Sequence, residues 1–596
     1  MSKTILKIIS DKYLRIAVYS PKLLIRLVLR KISRKRNRPI LTDKKSIESN
    51  NNSYNTPQRR RILFFTQKMK NTDFDVIFLK KLTAVKSKPK KNRENIANKF
   101  IVTLATTAID IRFIDFTHNY SDPEDTYAIN RFIWLYELLL YGIDKEINDI
   151  CLKNIENWVG SIEASKMDEA FDAYSASERI IAWIFYFKSV KNKFVFSDTV
   201  LKNIARSIGK QCNAIRHSLE YHGNNTNNHI LNNARALYIA GSVFGQNECI
   251  ELGRMIMLSE YGNIIIDGVN QEGSSHYQML LTKNLLEVLM IAEEYNDVPF
   301  ISFLNNNISQ MTLICQELSG SSGFTHYPLF GDISPDMHPG WFRGWPFSAN
   351  RELYSDWYRL FNYFPTMNNQ TNRNNDAASS SVHWIYLHNG SIEAWVNLRT
   401  GEIPCHGHND NGTIQIHYLG KPIIADLGLK TYNASPTRDF HRSSTSHNMP
   451  IINGYGVDIP QNSLVSNIGL HSTYNILNVN DNTITYTINY VNNAIMVKRK
   501  LILVNDGFTV LDNFRFGCYQ TYWHFNGRLD KLNASEYQYG DIIVECKVEE
   551  NETIELIDKH FRSTKYGGKK EISTLLMSTN TRNIVSVESK FKFRNG

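Results

Sequence analysis

The chain has 596 residues, 42% of them hydrophobic, enough for large buried cores and for two or more domains rather than one. Its net charge of +10 hides an asymmetry: residues 1–100 hold 27 Lys and Arg against 6 Asp and Glu, leaving the remainder net acidic. Seven scattered cysteines without a CxxC pair suggest neither a disulfide framework nor a thiolate zinc site, and no apolar run approaches the ~18 residues of a spanning helix.

Residues 3–32 alternate apolar clusters with Lys and Arg around Pro21, the pattern of two short cationic amphipathic helices divided by the proline. Such a basic start suits peripheral contact with an anionic membrane, a polyanionic glycan, or docking of its apolar faces on the main body. Charged residues from Asp11 onward interrupt the early apolar stretch before any cleavage site, so no signal peptide is expected. From Arg36 to about Arg60 little can be buried, which reads as a flexible connection, and residues 1–95 are grouped as a basic arm.

Between residues 96 and 367 the apolar spacing is helical: Ile129, Phe132, Ile133, Leu135, Leu138 and Leu139, then Ile180–Phe187, then Leu280, Leu285, Leu286, Val288 and Leu289. A polar stretch at 368–381 has no periodicity and is expected to be a linker. From 382 to 596 the pattern changes to short β-branched and aromatic runs separated by turn residues: 392–398, 413–418, 484–490, 508–511, 521–525 and 542–548. The fold class expected is α+β and multidomain, helices first and antiparallel strands after, with a cleft between them.

Four clusters carry titratable or amide side chains out of keeping with their surroundings. Asn227, Asn228 and His229 precede a helical pattern; an N-cap accounts for one Asn, not for a cluster ending in His. Glu272-Gly273-Ser274-Ser275-His276-Tyr277 leads into another helix and leaves Tyr277 at its start, although a core tyrosine would look the same. His406, His408 and Asp410 share one face if 405–412 is extended. Asp426, Tyr432, His441, Arg442 and His447 form the fourth cluster, and His408, Asp426 and His447 would supply a three-ligand N/O set of the kind zinc accepts.

The Asn-Asn-His of 227–229, the Glu-Gly-Ser-Ser-x-Tyr of 272–277, the His-x-His-x-Asp of 406–410, the Asp-x-Gly of 426–428 and the Ser-x-x-His-Asn of 444–448 together resemble the heparinase II/III and alginate lyase superfamily, over about residues 125–530. The resemblance implies an incomplete α/α toroid followed by an antiparallel β-sandwich, and β-elimination on an acidic, uronate-containing polysaccharide. It implies catalytic roles for Asn228, His229, Tyr277, His406 and Tyr432, with Asn228 and His229 neutralising the uronate carboxylate. Asn227, Glu272 and Arg442 are expected to contact substrate. His408, Asp426 and His447 resemble the ligands of a structural Zn2+; no organic cofactor and no nucleic acid partner are implied. The resemblance implies the bacterial cell envelope or periplasm, with the cytoplasm as the alternative that the lack of a clear signal peptide leaves open. The rival readings are a toroid glycoside hydrolase, for which the sequence offers Glu272 and Asp332 but no convincing carboxylate pair, and a non-catalytic glycan-binding protein of polysaccharide biosynthesis.

Overall fold

The computed structural model describes residues 56–71, 74, 82–85, 99–162, 168–223, 226–320, 326–365, 380–453, 472–490, 495–515, 517–547, 552–579 and 586–595. The amphipathic pair around Pro21, and residues 368–379 of the expected linker, lie outside the described residues.

The first described helix, α1 (Pro57–Lys68), falls inside the stretch assigned to the basic arm. This corrects the end of the expected flexible connection, since residues 57–60 are helical and Arg59 is buried: its guanidinium pairs with Glu260 at 2.7 Å and donates to the Gly223 carbonyl at 3.0 Å. The helical half continues through α2 (Pro123–Arg131), α3 (Trp134–Tyr141), α4 (Lys145–Asn157), α5 (Ala173–Val190), α6 (Asp198–His217), α7 (Asn228–Phe244), α8 (Asn247–Ile264), α9 (Ser275–Glu294), α10 (Val298–Ser319) and α11 (Asp356–Phe361). The apolar spacing over 129–139 reads as one helix, but the chain breaks at Phe132, which turns left-handed at φ 59° and stacks on Phe116 in the core. In α7 every residue except His229 is buried, so this helix runs through the core and not across the surface.

Two of these helices begin on a polar cap that bears on the cleft. Asn227 closes the start of α7, its side chain accepting from the His229 N–H, and Ser274 closes the start of α9 by accepting from the Tyr277 N–H. Short polar residues at these two places therefore set the direction in which the next side chains leave the helix.

The strands are antiparallel throughout. A four-stranded sheet runs β1 (Val382–Asn389), β2 (Ile392–Arg399), β3 (Ile414–Tyr418) and β4 (Lys421–Ile424) in that order. A second holds β5 (Pro450–Ile452), and the third, of eight strands, begins with β6 (Ser472–Asn480), β7 (Thr483–Tyr490), β8 (Ile495–Val504) and β9 (Gly507–Phe514). Then come β10 (Tyr519–His524), β11 (Asp530–Lys531), β12 (Glu536–Tyr539), β13 (Ile542–Lys547), β14 (Glu552–Arg562), β15 (Lys570–Thr579) and β16 (Ser586–Asn595). The eight-stranded order is β6-β7-β8-β9-β16-β13-β12-β11, and β14-β15-β10-β5 completes the set. Val396, Ile416, Ile488, Leu501, Trp523 and Met577, drawn from these three larger sheets, share one apolar core. Strand β7 alternates buried and half-buried residues along its length, the period of two that one covered face requires.

The halves are joined by more than the chain. Trp384 and Trp395, on the first two strands, pack into the helical core, and the Trp395 indole donates to the Glu317 carbonyl. Ser380 and Ser381, at the end of the expected linker, are tied to the Gln271 side chain at 2.9 and 2.8 Å.

Candidate active site

Glu272 is the junction. Its carboxylate accepts from the Asn228 backbone N–H and from the Asn228 side-chain amide, both at 2.6 Å, and its carbonyl accepts from the His406 N–H at 3.1 Å. One residue thus fixes the first turn of α7 and the loop that carries His406. The loop is locked from the other side by Gly331 (φ +69°), where a Cβ would lie 2.4 Å from the Gly273 carbonyl oxygen and 2.5 Å from that of His406. Only glycine permits this approach, and it brings the next residue, Asp332, beneath two imidazoles.

Asp332 accepts from His406 Nδ1 at 3.0 Å through one oxygen and from His408 Nε2 at 2.9 Å through the other. Burial would raise its pKa, but the two imidazoles hold the carboxyl well below the usual range. The expectation of an extended 405–412 segment is corrected here: residues 405–406 form a turn. His406 and His408 still converge, because a bridging carboxylate gathers them and not because strand periodicity does.

The Tyr277 ring lies on the His406 imidazole, centroids 3.7 Å apart and planes 15° from parallel. Its hydroxyl is 2.9 Å from that of Tyr432, whose backbone N–H donates to the Tyr566 hydroxyl. Burial pushes the Tyr277 phenol well above its ordinary pKa, an effect the Tyr432 hydrogen bond only partly offsets, and burial does the same to Tyr432. Both are therefore proton carriers at neutral pH. His406 holds Nδ1 against Asp332 and turns Nε2 toward Glu272, 4.0 Å away.

His229 is partly exposed and stands at the rim, with Nδ1 2.8 Å from Glu220. Burial pulls its pKa down, but the Glu220 carboxylate outweighs that and raises it, favouring the imidazolium. Asn228 and His229 occupy the first turn of α7, where the helix dipole adds positive potential. Asn227 serves as the α7 cap, with its side chain given to the His229 N–H. Arg442 is buried and donates to the Gly407 carbonyl at 3.2 Å, supporting the histidine loop from beneath.

Asn228 and Tyr277 line one recess with Tyr174, Asp336 and Lys283. It adjoins a cleft of about 250 Å³ that shares Asp336 and Tyr136 and is bounded on the sheet side by Lys565 and Tyr566. Asp336 is held by Tyr174 at 2.7 Å and Arg131 at 2.5 Å. None of Arg131, Tyr174, Glu220 and Asp336 is marked by motif or spacing, and Asp332 is visible in the sequence only as a spare carboxylate. A Gly-Asp pair after a long helix was the one available signal for it.

His408, Asp426 and His447 are fully buried, with candidate ligand atoms within 4.8 Å of one another. His408 Nδ1 and His447 Nε2 have no hydrogen-bond partner among the described residues, while the opposite nitrogens are held by Asp332 and Asp426. Burial lowers the His408 pKa to about 4, while at His447 burial is outweighed by the Asp426 carboxylate, which raises the pKa, so an ion would displace a proton from the second imidazole and not the first. The residues fit a zinc ion.

This fold, helices followed by antiparallel sheets, is similar to those of solved polysaccharide lyases. Residues 372–558 match the family described as Heparinase II/III-like, C-terminal. The structure superposes on "Heparinase III" with a TM-score of 0.60 at 14% identity, covering 94% of this chain and 92% of that one. It superposes on a mutant of heparan sulfate lyase HepC from Pedobacter heparinus with a TM-score of 0.54 at 15% identity, over 90% and 88% of the two chains. For the heparinase III BT4657 gene product the values are 0.54, 15%, 93% and 93%. No curated protein matches the chain in sequence.

Proposed function

We infer that the protein is a polysaccharide lyase that cleaves a uronate-containing glycan by β-elimination and leaves a 4,5-unsaturated end. The observation that carries this reading is the contact between a buried Tyr277 and a His406 imidazole oriented by Asp332, next to the Asn228 amide and the His229 imidazole at a helix N-terminus. A proton beside a carboxylate is hard to remove because charge builds up on the enolate, so the site must neutralise that carboxylate. Asn228 and His229 supply the donors. His406 Nε2, its other nitrogen committed to Asp332, is the base that takes the C5 proton. Tyr277 gives its hydroxyl proton to the departing glycosidic oxygen, with Tyr432 at 2.9 Å to replenish it. Base and acid stacked side by side reach one face of the sugar, which supports elimination of a proton and leaving group on the same side.

Glu272, expected as a substrate contact, is better suited to positioning Asn228, and Arg442 to bracing the loop, because both are occupied by protein partners. A zinc ion held by His408, Asp426 and His447 would cross-link the sheet loops beneath His406 and take no part in proton transfer. The helices are read as an incomplete toroid and the sheets as a sandwich, with the cleft open to a chain-like substrate. The hydrolase alternative has no convincing carboxylate pair in the sequence, and Asp332 is shared by two imidazoles and Glu272 by two Asn228 donors. Heparan sulfate, alginate, chondroitin and bacterial exopolysaccharides form the test panel: the purified protein should generate ultraviolet-absorbing unsaturated uronate from at least one. Depolymerisation without that absorbance would reject elimination.

A further inference from the structure

A second set of ligand atoms lies on the opposite side of Asp332 from the buried histidine pair. The Glu272 carboxylate, the Cys405 thiol and the His406 imidazole bring one donor atom each within 4.8 Å of one another. The three donors differ in kind, oxygen, sulfur and nitrogen, a mixture that zinc accepts and that hard cations such as magnesium do not. Their surroundings are those of a built site. His406 Nδ1 is bound to Asp332, which leaves Nε2 facing Glu272 at 4.0 Å, the carboxylate-behind-imidazole arrangement that orients metal-binding histidines. Each carboxylate oxygen of Glu272 accepts one bond from Asn228 and keeps a second lone pair. Cys405 is exposed, so an ion has a route in from solvent.

We propose that Glu272, Cys405 and His406 form a second, inhibitory site for zinc or a similar thiophilic dication, placed over the base of the elimination reaction. Tetrahedral zinc needs donor atoms about 3.3–3.8 Å apart, given bonds of about 2.0–2.3 Å, so the exposed cysteine turn must close by about an ångström. Binding releases the thiol proton to solvent and fills the lone pair of His406 Nε2 that proton abstraction requires. The ion's presence at this site is independent of the lyase reading; that it inhibits rests on that reading.

Cobalt(II) distinguishes the two sites, because sulfur-to-cobalt charge transfer in the near ultraviolet can arise only where a thiolate is a ligand, and the His408, Asp426 and His447 set has none. Metal-free protein titrated with cobalt should develop this absorption with a stoichiometry of one, and Cys405→Ser should lack it. In turnover assays, the zinc concentration that halves activity should rise at least tenfold in Cys405→Ser, with activity in zinc-free buffer unchanged. Absence of the charge-transfer band in the unmodified protein, or its persistence in Cys405→Ser, would overturn the site. A band that disappears in Cys405→Ser while zinc sensitivity stays the same would overturn the inhibition and keep the site. If no polymer is cleaved at all, the spectroscopic arm still decides.

Discussion

Replacing Asp332 by Asn keeps the shape of the residue beneath the two imidazoles and removes its charge. Asp332 accepts charge-assisted hydrogen bonds from His406 at 3.0 Å and His408 at 2.9 Å, each worth about 1.5–3 kcal/mol. An amide can accept only one of them and must face the other ring with its NH2 group. One bond is therefore lost and one imidazole is left free to turn, so a stability loss of about 2–3 kcal/mol is expected. If His406 loses its anchor, turnover falls; if His408 does, zinc affinity falls; carboxylates behind imidazoles are typically worth about 10–100-fold in such properties. The stability difference also has a pH signature. A carboxyl whose folded pKa is depressed stabilises the protein above its unfolded pKa of about 3.9 and loses that contribution as pH falls through the folded value. The gap between the two proteins should be full at neutral pH and narrow in acid. Denaturant titrations at several pH values, zinc equilibrium dialysis and the unsaturated-uronate assay read the three effects. An Asp332→Asn variant within about twofold of the parent in turnover and zinc affinity, and equally stable at neutral pH, would refute the bridging role.

Other outcomes follow from the same geometry. Tyr277→Phe keeps the ring stacked on His406 and removes the acid, so turnover should fall ~10²–10⁴-fold with little change in stability; near-normal turnover would remove the assignment. Glu220→Gln withdraws the carboxylate that raises His229, so the alkaline limb of the kcat/KM profile should move to lower pH. In the parent, this pair's contribution to folding is complete between about pH 4.3 and 6.5, is lost as pH rises through the elevated His229 pKa and again as it falls through the depressed Glu220 pKa, and Glu220→Gln should show neither loss. Chelating a resident zinc should lower the unfolding midpoint by an amount that depends on free zinc, about 4 kcal/mol at a roughly thousandfold excess over Kd, and a zinc-independent midpoint would reject His408, Asp426 and His447 as ligands.

How much of this could be read from the chain depends on the range of the interaction. The strand runs were legible because period-two alternation and turn residues are local: 392–398 is found within Ile392–Arg399, 484–490 within Thr483–Tyr490, and 542–548 overlaps Ile542–Lys547. Asn228 and Tyr277 were legible because they follow capping residues, and amide or phenol clusters at helix starts stand out. Asp332 carries no role legible in the sequence because its partners lie 74 and 76 residues away, and nothing near it in the chain indicates that two imidazoles close over it. Arg131 and Tyr174 sit in helical patterns that carry them without comment, and only tertiary approach turns them onto Asp336. The Phe132 break escaped for the opposite reason: local spacing favours a continuous helix, and packing against Phe116 and Trp183 prevails over it.

Mass spectrometry of the fragments released from a defined uronate oligosaccharide tests the central claim most directly. Elimination by His406 and Tyr277 predicts a new non-reducing fragment lighter by one water than the hydrolytic product, with a C4=C5 vinyl proton in its NMR spectrum, and none of it from His406→Ala. A fragment carrying the added water and no vinyl proton would contradict the account.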